Sequence, residues 1–98
     1  MVSTSLEDKE LIVVTVVGAD RTGIVAGITN VLAGLNVNIE DISQTVLRGF
    51  FAMILIADMS KATCSLRELR EKLEVKAKEL GVEVFVQHAS IFRAMHRV

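Results

Sequence analysis

The sequence predicts an α+β sandwich of β-α-β-β-α-β order, an antiparallel four-stranded sheet with two helices on one face. Three observations lead there. Two apolar runs, the β-branched "LIVVTVV" and "FFAMILIA", are apolar on both parities and read as buried strands. Two stretches repeat their apolar residues at helical spacing. Each half then runs strand, loop, helix, glycine, strand, so that "LAGLNVNI" echoes "AKELGVEV". That order is the ferredoxin-like one.

Taken in turn, Leu11 to Val17 is the first strand. From Ile24 the residues Ile24, Ile28, Val31, Leu32 and Leu35 form one helical face. Gly27 shares that face and predicts a close approach to the sheet, and Gly34 suits a left-handed C-terminal cap. Val37 to Leu47 is the second strand. Val37 and Ile39 hold one parity and Ile42, Gln44 and Val46 the other, so a β-bulge is expected near Glu40–Asp41. Arg48 and Gly49 form a hairpin turn, and Phe50 to Ala57 is the third strand. In the second helix Ser65 and Glu68 make a capping box, Leu66, Leu69, Leu73, Ala77 and Leu80 form the stripe, and Gly81 stops it. "VEVFVQHASI" is the fourth strand. Ile91, Ala94, Met95 and Val98 return to helical spacing, so the tail over 90–98 is expected to be a short helix folding back to bury Ile91 or Phe92 with Met95.

The chain has 98 residues, so one domain is expected over 1–98, with its core at about 10–92. Hydrophobic residues make up 51% and the net charge is −1, which speaks against a binder that works by neutralising phosphates. One cysteine, Cys64, allows no intrachain disulfide and fits a reducing, cytoplasmic compartment. The start is polar, without the order of a signal peptide, and the apolar runs are too short to span a bilayer as helices, so no membrane association is expected. Apolar residues on both faces of the central strands call for a cover beyond the helices, and a homodimer supplies it.

Chemistry is concentrated at two places. "GADRTG" joins a strand to a helix, where free N–H groups and partial positive charge suit an anion. Asp20 or Thr22 there is either a helix cap or part of a site. Asn38 stands in an apolar strand, with Glu40, Asp41 and Gln44 near the bulge. These either bind a ligand or make a polar strand edge that discourages aggregation.

Arg48, Gly49 and Phe50 match the start of an RNA-recognition signature, but Ala52 and Leu55 replace its later aromatics and the first strand has none. Arg21 and Asn38 loosely fit an acylphosphatase, whose glycine-rich phosphate cradle "GADRTGIV" lacks. His88, His96 and Cys64 show no metal-ligand spacing, and no nucleophile–base–acid set is visible. No enzyme, metal or cofactor is therefore expected.

The segment "DRTGIVAGITNVLAGLNVNIEDISQTV" closely resembles the ACT-domain family, regulatory modules that bind amino acids. The family pattern D-R-P-G-I-V, then a helix, then G-x-N-I-x-D, is met by Asp20, Arg21, Gly23, Ile24, Val25, Gly34, Asn38, Ile39 and Asp41, with Thr22 where proline is usual. "ISQTVLRGFFAMILIAD" and "IFRAMHRV" look like short stand-alone ACT proteins of an uncharacterised family related to the glycine-cleavage-system repressor. The resemblance covers the whole chain and implies no catalytic domain. It implies a dimer in which the first helix start of one copy faces the second strand of its neighbour. The loop Ala19, Asp20, Arg21, Thr22, Gly23 and Ile24 would hold a ligand carboxylate, and Asn38 with Asp41 the α-amino group. The function so implied is sensing an amino acid or similar zwitterion and acting in trans on a protein partner. The alternative is a protein–protein interaction module of the same fold with no small ligand.

Overall fold

The two strands apolar on both parities become the middle of the sheet. The computed structural model describes residues 9–91. In order these form β1 (Leu11–Ala19), α1 (Ile24–Gly34), β2 (Asn38–Leu47), β3 (Phe50–Asp58), α2 (Leu66–Leu80) and β4 (Val82–His88). The sheet order is β2-β3-β1-β4, all antiparallel. The fold is the ferredoxin-like sandwich expected. β1 runs two residues beyond the expected Val17, because Gly18 and Ala19 still pair with Phe51 and Phe50.

Both helices cover one face. Ile12, Val14 and Val16 of β1 and Phe51, Met53, Leu55 and Ala57 of β3 meet Ile24, Ile28 and Leu32 of α1 and Leu69, Leu73 and Ala77 of α2. Each of these is 4% exposed or less. Burial at that depth is worth roughly 1.5–3 kcal/mol for each large aliphatic side chain, so this layer dominates the stability. No polar or charged side chain is buried among the described residues. On the opposite face Val17, Ile54 and Phe85 remain substantially exposed, with Ile54 and Phe85 flanking Thr15 in register.

The sheet has two edges, and they differ. β2 is exposed over most of its length, with Ile42, Val46 and Leu47 uncovered and no charge from Ile42 to Leu47. On β4 the Arg70 guanidinium, reaching from α2, donates to the Val86 carbonyl at 2.9 Å.

The bulge lies where the parity slip placed it, between Ile39 and Asp41. It returns Ile39 and Ile42 to one face, opposite Ala57 and Leu55. The Arg48–Gly49 turn has positive φ at both residues (52° and 81°), the type I′ geometry that matches strand twist.

Three local expectations are corrected. Gly34 is the last residue of α1 and not its left-handed cap; that role falls to Asn36, at φ 59°. The N–H groups of Asn36 and Val37 return to the Ala33 and Leu32 carbonyls, a Schellman closure, and the Asn36 amide NH2 reaches the Lys61 carbonyl at 2.8 Å. Gly27 permits close approach to α2, not to the sheet: a Cβ there would lie 2.9 Å from Leu80 Cδ1. β4 ends at His88 and not at Ile91, because the chain turns helical at Ala89–Ile91, the start of the expected tail helix, with Ile91 exposed. Phe92, Met95 and the remainder of the expected tail helix lie outside the described residues.

Candidate functional site

The first of the two chemical segments leaves the sheet at Ala19. Its Asp20 N–H donates to the Gly49 carbonyl at 2.8 Å, which ties the loop to the β2–β3 hairpin. Gly23 is the N-cap of α1, at φ 94°, a conformation that strains any residue with a Cβ. Neither Asp20 nor Thr22 caps the helix: α1 has no side-chain cap and no acidic residue in its first turn. The expectation of an Asp20 or Thr22 cap is thus overturned, because the cap position belongs to a glycine. α2 is the contrast. The Ser65 hydroxyl accepts from the Glu68 N–H at 3.1 Å, and the Glu68 carboxylate accepts from the Ser65 N–H at 2.9 Å.

The loop residues differ in what they can offer a ligand. Ala19, Asp20, Thr22 and Gly23 are exposed. Ile24 is 1% exposed, so only its backbone faces outward chemistry. The Arg21 guanidinium donates to the Glu79 carbonyl at 3.3 Å, placing its charge at the C-terminal end of α2, where a helix dipole favours a cation.

The second segment lies at the far end of the sheet. Asn38 pairs in register with Asp58, and Asp58 with Leu11, whereas Ala19 pairs with Phe50, and Phe50 with Leu47. The two segments are therefore separated by most of β3, roughly 25 Å at about 3.3 Å per residue. One chain does not bring them together.

Asn38 is exposed, and its amide NH2 donates to Glu40 Oε2 at 2.8 Å. The other Glu40 oxygen takes the Lys9 ammonium at 2.7 Å. The Lys9 bond, then the Asn38 bond, hold the Glu40 carboxyl below its usual value, and the same pair raises Lys9. Asp41 sits at the bulge, where its Oδ1 accepts from the Ile42 N–H at 2.9 Å.

Beside Asn38 lies a cavity of about 350 Å³ bounded also by Asn36, Asp58 and Lys61. Sequence reasoning missed these three neighbours and Lys9. Counting back from the Arg48–Gly49 turn through one bulge pairs Asn38 with Asp58, and that was the available signal.

The remaining candidates do not assemble. Cys64 and His88 share a cavity with Glu10, but burial and then Glu68 push the Cys64 thiol up, away from the thiolate. The His88 Nδ1 is 3.0 Å from Ser90 Oγ. No group of three potential metal ligands forms among the described residues, and His96 lies outside them. Phe51 is core and Phe50 is 71% exposed at the hairpin. No helix among the described residues is long and apolar enough to cross a membrane.

Comparison with known proteins agrees with this architecture. The family model described as the ACT domain matches residues 10–87. A UPF0237 protein from Methanopyrus kandleri is 63% identical over 86 residues, covering 88% of this chain and 96% of that protein. Among solved structures, an ACT domain protein from Streptococcus pneumoniae is 40% identical with a TM-score of 0.75, covering 90% of this chain and 99% of that one. A structure described as a glycine cleavage system transcriptional repressor superimposes with a TM-score of 0.71 at 19% identity, over 85% of this chain and 46% of that one, a likeness of fold.

Proposed function

Since the chain belongs to the ACT-domain family, whose members are regulatory modules that generally bind amino acids, we propose that it senses an amino acid or similar zwitterion between two copies of itself. It acts without catalysis, in the cytoplasm, and in trans on a protein partner.

The observation that carries this reading is the uncapped start of α1. Its first-turn N–H groups have no side-chain acceptor, next to a loop whose Asp20 and Thr22 side chains have no partner among the described residues. Such a terminus meets a carboxylate without a basic side chain. The ammonium then needs acceptors, and Asn38 Oδ1 and the Asp41 carboxylate provide them.

The separation within one chain gives the dimer its reason. If two β2 edges pair antiparallel about a two-fold axis, the Asn38 end of one strand lies beside the Leu47 end of the other. That end adjoins the partner's α1 loop through the Asp20–Gly49 bond. Each site is then completed by the second copy.

A thermal-shift screen of the protein amino acids tests the reading, because a ligand at a hundred times its dissociation constant stabilises the fold by about 2.7 kcal/mol. One amino acid is expected to raise the melting temperature of the wild type. Asn38→Ala should lose most of that rise, a loss of about ten- to hundredfold in affinity, while its unliganded melting point moves little. No shift with any amino acid would leave the interaction-module alternative. A collapse of unliganded Asn38→Ala would make Asn38 a structural amide.

A further inference from the structure

We infer that the cavity beside Asn38, walled by Asn36, Asp58 and Lys61, receives the side chain of the bound amino acid and selects a carboxamide. This inference rests on the amino-acid reading above and names the class of ligand.

The cavity is polar, and three of its four side chains are held by hydrogen bonds. Asn36 spends its amide NH2 on the Lys61 carbonyl, and Asn38 spends its own on Glu40. Both amide oxygens are left without a protein partner among the described residues, as acceptors only. The Asp58 carboxylate is held by the Glu10 and Ser60 N–H groups and the Ser60 hydroxyl. Burial works to raise it, but those bonds, with Lys9 nearby, outweigh burial and keep it ionised at neutral pH. The Lys61 ammonium makes no ion pair among the described residues.

A guest side chain thus meets three acceptors and one cationic donor. A carboxylate would satisfy Lys61 but lie against Asp58 and two amide oxygens. An ammonium would satisfy the acceptors but face Lys61. A hydrocarbon would dehydrate all four groups and return nothing. A carboxamide accepts from Lys61 through its oxygen and donates its two N–H groups to Asp58 and the Asn36 oxygen, leaving the Asn38 oxygen to the ligand ammonium. At about 350 Å³ the cavity has room for it. Asn38, the group proposed to meet the ligand ammonium, also bounds the cavity, so the side chain enters where the head group is held.

Titration calorimetry with L-glutamine, L-glutamate and L-alanine tests this. The wild type should bind glutamine at least about tenfold more tightly than either of the others, one charge-assisted hydrogen bond's worth of selection. In Lys61→Ala, where the substituted side chain is exposed, the glutamine-to-alanine ratio should collapse to near unity. Lys61→Arg should keep a preference for glutamine. Alanine binding as tightly as glutamine, or glutamate binding more tightly, overturns the carboxamide inference while the amino-acid reading stands. Binding of none of the three, with no shift across the full amino-acid screen, removes both.

Discussion

Glu40 on β2 and Glu68 on α2 do similar work: each is a surface carboxylate held in its charged form by neighbours. Glu40 is held by Lys9 and then Asn38, Glu68 by the Ser65 N–H and then the Ser65 hydroxyl. A carboxyl whose folded pKa is depressed adds stability above its unfolded value and loses it as pH falls through the folded one. Lys9, raised chiefly by its bond to Glu40, has the opposite sign. Its contribution is present below its unfolded value and is lost as pH rises through the folded one. Glu68→Gln keeps an acceptor at the capping box but removes the titration. The urea midpoint of the wild type should therefore fall more steeply than that of Glu68→Gln once pH drops below the ordinary glutamate value of 4.5. Parallel decline of the two would show that the box does not titrate with folding. The residue scale is also where the candidate site is partly legible. Asp20, Thr22, Gly23, Asn38 and Asp41 stand out as polar or glycine residues against apolar strands. Their separation does not, because it is set by which strands pair and in what register.

At the scale of the element, the two helices show why some ends can be read from sequence and others cannot. The Ser65 and Glu68 groups bond each other three residues apart, so the spacing alone reveals the cap. Ser65→Ala should cost about 1 kcal/mol in chemical denaturation, and an unchanged midpoint would refute the cap's contribution. The end of α1 is settled elsewhere. Asn36 takes the left-handed position while gripping Lys61, a residue 25 positions later. A local reading favours Gly34, since glycine pays no Cβ penalty, and cannot see that grip. Gly27 carries the same lesson: periodicity reveals which face is buried, whereas packing decides that Leu80 is the neighbour. The bulge in β2 was legible because a parity slip is visible in the strand itself.

For the whole molecule, the sheet order follows from a simple rule: strands apolar on both parities go to the centre, and the strand with polar residues goes to the edge. That much is in the sequence. What would pair with the bare β2 edge is the second copy proposed above. Val46 lies on the exposed β2 edge at 53% accessibility and outside the helix-covered core, so Val46→Lys should leave the circular dichroism spectrum unchanged. It should weaken self-association at least about tenfold, because an edge lysine opposes strand addition. Sedimentation at several concentrations reads this out. A variant that still associates like the wild type would move the interface off β2. The Arg70 bond to the Val86 carbonyl bears on what such pairing can build. Two adhesive edges on one subunit would let sheets concatenate into a filament, whereas a single adhesive edge is consumed when two molecules meet face to face about a two-fold axis. With the Val86 carbonyl taken by Arg70, β4 has one edge acceptor fewer to offer an incoming strand, so a pair joined through β2 would be poorly placed to grow further and a bare, uncharged strand could sit at the surface without seeding a polymer.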